Sequence, residues 1–581
     1  MGKLALLVCL LSACLILNSI VQPLSDIQKE TEITMSAISI INIHFEKSYT
    51  RPGKTSRWTV VVHSTNQDKV SAEVISTLSY LDQSLVTITK TTTLTIGDQE
   101  IAFEWLPPKE TPRGYGLDVS VKLSDGTELS RVSAGLDVLE TWTQMPRYGF
   151  LSDFEPGRTD AAQILQTLTD LHVNGLQFYD WMYRHETLLT DHDPYIDVLG
   201  RTLSLKTVNI LIDEAHKHNI VALPYTAIYA TSLEFYNKHK EWGIYYDSGE
   251  PVYLGNDFLA YMDPRPDSKW VTHLLAEFKA VLEKTKFDGI HLDQYGDPKE
   301  AYDFEGNFFK MGQPIADTIT ATHAVVDQYR PDGAVIFNCV SNWPIELASK
   351  ADEDFIYIEV WDPTNTFSDL HNLITYSQSL GTGKPVVLAA YVHPGNSPNP
   401  LLMDAIIFAS GGGHIELGEN LGYLAHPYFP NYEKLSAEQT RLIKNYYDFT
   451  VRYQNLIGPS TSEATKDWIS NITVDGLKVG LNVGDDLFAL VRESKGRVAV
   501  SLINLTDIKS TKWNEPAEFP KKASNFTLTV CGFKQIINKV LIATPDEEVF
   551  MLEPIKYNQK GDKVTLVIPS LKIWDLIVFE N

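Results

Sequence analysis

The stretch KFDGIHLDQYGDP, Lys286 to Pro298, decides how this chain is read. Phe287, Ile290 and Leu292 are apolar, as in a strand buried on both faces. The run then stops at Asp293, Gln294 and Tyr295, with Gly289 and Gly296 on either side. A buried strand that delivers a carboxylate to its own end needs a reason.

The same pattern recurs over residues 140–455. Candidate strands are RYGFLSDF (147–154), GLQFYDW (175–181), IVALPYTAIYA (220–230) and FDGIHLDQYG (287–296). They continue as AVIFNCVSNW (334–343), FIYIEVWD (355–362), PVVLAAYV (385–392) and GGHIELGE (412–419). Amphipathic helical stretches such as TVNILIDEAHKHN and SKWVTHLLAEFKAVLEKT lie between them. Eight strands alternating with helices predict a (β/α)8 TIM barrel. The alternative, a doubly wound open sheet, usually carries a glycine-rich phosphate loop after its first strand, and LSDFEPGRTD is not one.

On either side the periodicity changes to two. Residues 35–138 alternate apolar and polar positions between Gly, Pro, Asn and Asp turns, which predicts an immunoglobulin-like β-sandwich without that fold's cysteine pair. Residues 460–581 read the same way, as a C-terminal antiparallel β-sandwich. The expectation is a multidomain chain, a catalytic barrel flanked by two sandwiches.

Residues 1–24 read as a signal peptide, with Lys3 ahead of an apolar run too short to span a bilayer. LLSAC within it matches the lipobox and would put a lipid anchor on Cys14; ordinary cleavage before Ser25 is the other reading. Export to the outer cell surface, the periplasm or the medium follows from either. Outside the leader only Cys339 and Cys531 remain, read as two buried thiols rather than a disulfide framework. Asn471, Asn504 and Asn525 begin glycosylation triplets, a short pattern that chance often produces. The net charge of −25, from 74 acidic and 49 basic residues, excludes nucleic acid as a partner and favours a neutral substrate. A monomer is expected.

In a barrel the chemistry sits at the C-terminal ends of the strands. Those ends supply Asp153, Asp180 and Trp181, Tyr225 and Tyr229, Asp293, Asn338 and Trp343, Glu359, Trp361 and Asp362, Tyr391, and His414 and Glu416. Two carboxylates among aromatic rings are what glycosidic cleavage needs. One stays ionised beside the anomeric carbon while the other keeps a proton for the leaving oxygen. Asp293 and Glu359, on strands four and six, are that pair; a retaining enzyme would hold them about 5–5.5 Å apart. The tryptophans and Tyr391 read equally as sugar platforms or as rim packing, and His414 as a ligand contact or a satisfied core histidine. Metal-dependent barrel hydrolases usually carry His-x-His on the first strand, which RYGFLSDF lacks, so neither metal nor organic cofactor is expected.

The motifs PRYGFLSDF, NGLQFYDWMYRHE, FDGIHLDQYG, IYIEVWD and GGGHIELGE, in this order, resemble glycoside hydrolase family 66. That family comprises endo-dextranases and cycloisomaltooligosaccharide glucanotransferases. The resemblance implies a retaining cut of α-1,6-linked glucan, with Asp293 as nucleophile and Glu359 as acid/base. It also implies that Asp180, helped by His414 and Glu416, holds the sugar in subsite −1. The cyclising members carry a binding module between strands seven and eight. Here Val392 to Gly411 leaves room for one helix, so the chain looks like a plain endo-dextranase. Cyclising transfer, or glucan binding without catalysis, is the alternative.

Overall fold

The computed structural model describes residues 37–255 and 258–581; the expected leader, with Cys14, lies outside them. Gly289–Asp293 is the fourth of eight parallel strand segments. The others are Tyr148–Leu151, Gly175–Phe178, Val221–Ala227, Ala334–Asn338, Ile356–Glu359, Val386–Ala389 and Gly412–His414. Each pairs in parallel with the next. The expected single strand over 412–419 is instead two pieces, because the ladder breaks at Ile415 and Glu416. Leu417–Gly418 then pairs with the first strand through Phe150. The sheet therefore curls into a barrel-like body whose last stretch meets its first.

Strand alternation sorts the side chains of this sheet. Ile290 and Leu292 face the surrounding helices, packed with Leu274, Phe278 and Ile315. His291 and Asp293 face inward. Tyr148, Phe150, Leu223, Ile336, Tyr357 and Val387 fill the interior, with Trp142 and Met145 from the preceding segment packed among them. Gly289 permits the close approach of strand five, since a Cβ there would lie 1.9 Å from the Ala334 carbonyl oxygen. The helices outside start where the sequence provides caps: Ser204 and Ser268 accept from the third backbone N–H of their helices.

Residues Ile38–Val138 form seven strands in two facing sheets, of three and four strands, around Trp58, Val60, Leu78 and Leu117. Beyond Ser462 two further sheets enclose Leu487, Val500, Leu528 and Phe579. All but one of their pairings are antiparallel; Val479–Gly480 runs parallel to the strand Leu487–Ser494. Asn504 is fully buried, its side-chain amide donating to the carbonyls of Lys521 and Lys572, so the triplet there is a chance match that the folded protein does not present. One sequence expectation is corrected here. Cys531 is only partly buried, whereas Cys339 is buried. No helix among the described residues is long and apolar enough to cross a membrane.

One helix, Ala437–Ile457, touches all three regions. Toward the first sandwich, the Arg452 guanidinium donates to both oxygens of Asp118, at 2.8 and 3.0 Å. It lies directly over Gly116, where a Cβ would come within 2.2 Å of it. Toward the last sandwich, the hydroxyls of Tyr446 and Tyr453 donate to Asp546 and to the Phe550 carbonyl, each at 2.7 Å. Toward the curled sheet, Tyr447 reaches the His414 carbonyl. Arg452 and Asp118 are 1% and 4% exposed, so removing one strands the other's charge in the interface. Arg452→Met should cost about 3–5 kcal/mol, visible as a lower calorimetric melting temperature. The double variant Arg452→Met/Asp118→Leu should recover most of that loss.

Candidate active site

The inward parity of strand four puts Asp293 two residues above His291, at the mouth of the curled sheet. The same period carries Asn338 above Ile336 on strand five and Glu359 above Tyr357 on strand six. The side-chain nitrogen of Asn338 donates to Asp293 Oδ1 at 2.8 Å and to Glu359 Oε2 at 2.9 Å. The remaining oxygens are also taken. Tyr225 donates to Asp293 Oδ2 at 2.6 Å, and Tyr391 to Glu359 Oε1 at 2.7 Å. Three side chains therefore hold four carboxylate oxygens in fixed positions.

Burial raises the proton affinity of both acids. On Asp293 the charge of Glu359 adds to burial and the donors oppose both, leaving it pushed up to about 7. Ionising either acid disfavours ionising the other, so the pair holds a single proton across part of the neutral range. Beneath them burial pushes His291 down to about 3, and it stays neutral, 3.2 Å from the Tyr148 hydroxyl. The pair thus stands on an uncharged floor.

Around the acids lies a cavity of about 440 Å³, walled by Tyr179, Tyr225, Tyr295, Trp361 and Pro427. Asp180 directly follows Tyr179 of that wall and lies in the left-handed backbone region, φ 50°, a conformation that an Asp tolerates better than most residues. Arg201 donates to the Asp180 carbonyl at 2.7 Å and faces its carboxylate at 4.0 Å. Burial still outweighs Arg201 and lifts Asp180 to about 7. Trp361 is 41% exposed and packs edge-on against Tyr391, leaving it open to the cavity. Trp343 is partly buried, with the Lys299 ammonium 5.8 Å from its ring.

Four expected contacts are corrected. Trp181 is fully buried, its N–H on the Tyr225 carbonyl and its ring against Phe287, and it has no free face for a sugar. Tyr229 is 1% exposed and its hydroxyl accepts from the Tyr295 backbone N–H at 2.6 Å, so it supports the site from below. His414 and Glu416 flank the inward Ile415 and point outward, away from the mouth. There His414 Nδ1 lies 3.1 Å from both Asp404 and Glu416, all three side chains fully buried. Burial opposes charge on the imidazole, but the two carboxylates outweigh it and push His414 up to about 10. These three are the group among the described residues whose atoms could ligate a metal. Burial, with the charge of Glu416, raises Asp404 well above the usual carboxylate range, and the contacts of His414 with both acids tie the helix Asn399–Ala409 to strand eight. Of the other strand-end acids, Asp153 lies at the rim beside Arg158, and the exposed Asp362 turns to Asn365.

The sequence reading left Tyr179 and Arg201 unnamed and gave Gln294 and Tyr295 no role. The Gln294 amide donates to the carbonyls of Asn338 and Trp343, pinning strand five's end to strand four's. Tyr179 stacks on Phe429, with centroids 4.3 Å apart, and forms part of the cavity wall. Tyr179 directly precedes Asp180 at a strand end, a position that could have flagged it; Arg201 lies in a loop with no such signal.

Residues 45–578 match the sequence profile of glycosyl hydrolase family 66. A cycloisomaltooligosaccharide glucanotransferase of Niallia circulans is 24% identical over 86% of this chain and 68% of its own length. That alignment runs over 664 positions, more than the 581 residues of this chain, so the relative carries insertions. A dextranase of Streptococcus salivarius is 24% identical over 84% of this chain and 69% of its own. In fold, the chain is similar to a glucanotransferase of Paenibacillus sp. solved with cycloisomaltoheptaose. The TM-score is 0.86 at 22% identity, covering 93% of this chain and all of that one. With the family profile matched over residues 45–578, which take in both sandwiches and the curled sheet between them, the chain belongs to glycosyl hydrolase family 66.

Proposed function

We propose that the protein is an exported, retaining endo-glycosidase that cuts α-1,6-glucosidic linkages of dextran and releases isomaltooligosaccharides. The observation that carries this reading is the shared Asn338 amide. Its two bonds cap the separation of the bonded oxygens of Asp293 and Glu359 at 2.8 plus 2.9 Å. That is less than the ~6.5–9.5 Å an inverting pair needs to admit water, and it suits the ~5–5.5 Å of a retaining pair. The curled sheet is then a (β/α)8 barrel with an interrupted eighth strand, over residues 140–455. Sandwiches at 35–138 and 460–581 flank it behind a leader of residues 1–24, with Cys14 as the lipidation point if the lipobox is used.

Asp293 attacks the anomeric carbon as the bond to the glycosidic oxygen breaks, and Glu359 gives that oxygen its proton. Glu359 then takes a proton from water, whose oxygen displaces Asp293 and restores the α configuration. Tyr225 and Asn338 orient the nucleophile; Tyr391 and Asn338 orient the acid. Asp180, next to the wall residue Tyr179, suits sugar hydroxyls. Residues Val392 to Gly411 contain the helix Asn399–Ala409 and no inserted module, which favours hydrolysis over cyclisation. The presence of glucanotransferases among the relatives keeps cyclising transfer as the second reading, and the product distribution from dextran separates the two.

Purified protein should degrade dextran and leave starch intact; the reverse preference overturns the linkage. Asp293→Ala should lower kcat on dextran by at least ~10⁴-fold, and Glu359→Gln by about 10²- to 10⁴-fold.

The pH–rate profile should be bell-shaped. Below the first ionisation of the pair both acids are protonated and the nucleophile is lost. Above the second, near 7, both are ionised and the acid is lost. In Glu359→Gln the repulsion that raises Asp293 is gone. With a glucosyl fluoride, whose leaving group needs no proton, the alkaline limb should disappear, while the acid limb should remain, because the first ionisation of the pair takes place beside an uncharged partner in both proteins.

A further inference from the structure

Asp404 is the one charged residue of the helix Asn399–Ala409, all 11 of whose residues are buried. A carboxylate in such a helix is unfavourable unless something answers its charge. It meets His414 and Glu416 on the outer side of strand eight, and all three side chains are fully buried. No step of the proposed reaction uses them.

Hydrogen bonds do not satisfy this cluster. The Ala390 carbonyl can only accept, so His414 Nε2, 3.2 Å away, carries the proton that bonds to it. Nδ1 is left facing Asp404 Oδ1 and Glu416 Oε2, each at 3.1 Å. A single proton on Nδ1 can point well at only one of them. Asp404 Oδ2 and both Glu416 oxygens are buried without an aligned donor, where such atoms are rare. Of the two hydroxyls beside Glu416, Tyr447 donates to the His414 carbonyl and Tyr423 can supply one bond.

The same atoms have the make-up of a metal site. One imidazole nitrogen and two carboxylate oxygens, all within 4.8 Å of one another, converge from a helix and a strand end. Bonds of about 2.0–2.1 Å to a tetrahedral zinc set ligand atoms about 3.3 Å apart. The 3.1 Å contacts are close to that. The bond from Nε2 to Ala390 fixes the tautomer that a ligating Nδ1 requires. One divalent cation also balances the two carboxylates, whose pull for positive charge outweighs burial at His414.

We propose that Asp404, His414 and Glu416 bind one Zn2+, with the unpartnered Asp404 Oδ2 completing the four donors of a structural zinc. The ion fastens the helix Asn399–Ala409 to strand eight, whose continuation Leu417–Gly418 closes the sheet on strand one. The expectation of no metal was drawn from the first strand; this site lies on the eighth.

The test strips the full-length protein with a strong chelator, returns Zn2+ and removes unbound ion by gel filtration. Elemental analysis should find about one zinc per chain, and the melting temperature should rise by a few degrees over the stripped protein. Mg2+ should produce neither effect. Asp404→Asn/Glu416→Gln, which keeps the side-chain shapes, should lose both the zinc and the thermal response. His393→Gln, at an exposed histidine beside Glu433, is the control for surface zinc and should keep both. Zinc retained in the double variant, zinc lost in the control, or preferential uptake of Ca2+ overturns the proposal. Where the double variant does not fold, the wild type decides: a stripped protein that takes up no zinc and melts unchanged overturns it as well.

Discussion

The amide nitrogen of Asn338 donates at once to Asp293 and Glu359, and the arrangement of the mouth follows from that contact. Two carboxylates buried this close repel each other, and without donors both would simply stay protonated. Tyr225, Asn338 and Tyr391 supply four short bonds, enough to keep one charge in place without making the second easy. Strand five lies between strands four and six, so its terminal residue is the one that can reach both acids. The chemistry of the pair therefore depends on the order of the strands as well as on the acids.

That geometry requires a sheet whose ends do not shift. The curled sheet is packed inside by Tyr148, Phe150 and Tyr357 and covered outside by helices, so its strand ends are held from both faces. The helix Ala437–Ile457 then fixes the sheet to both sandwiches through Arg452, Tyr446 and Tyr453. Gly116 exists because the Arg452 guanidinium occupies the space of a side chain. The sandwiches thus act as rigid neighbours of the sheet, and breaking one buried ion pair between them should be felt by the whole chain.

Several strand-end residues were legible as to position but not as to task. Trp181 and Tyr229 sit at strand ends where substrate contacts were expected, yet burial turns one into core and the other into a support for Tyr295. His414 and Glu416 failed for another reason. Alternation assigns faces only while a strand is continuous, and the ladder breaks at Ile415 and Glu416, where the inward residue is Ile415. The imidazole lies instead in a buried triad with Asp404, ten residues earlier on a helix, which no local pattern announces.

By itself the sequence determined the alternation of strands and helices, the two flanking β regions and the delivery of Asp293 and Glu359 to strand ends. Those features are local: they follow from side-chain period and from turn chemistry within a few residues. Only the tertiary structure decided that Asn338 bridges the acids, that Arg201 faces Asp180 and that Gln294 reaches the Trp343 carbonyl. Each of these joins residues far apart in the chain. Their distances are set by how eight strands curl and which loops meet above them, and no short stretch of sequence carries that information.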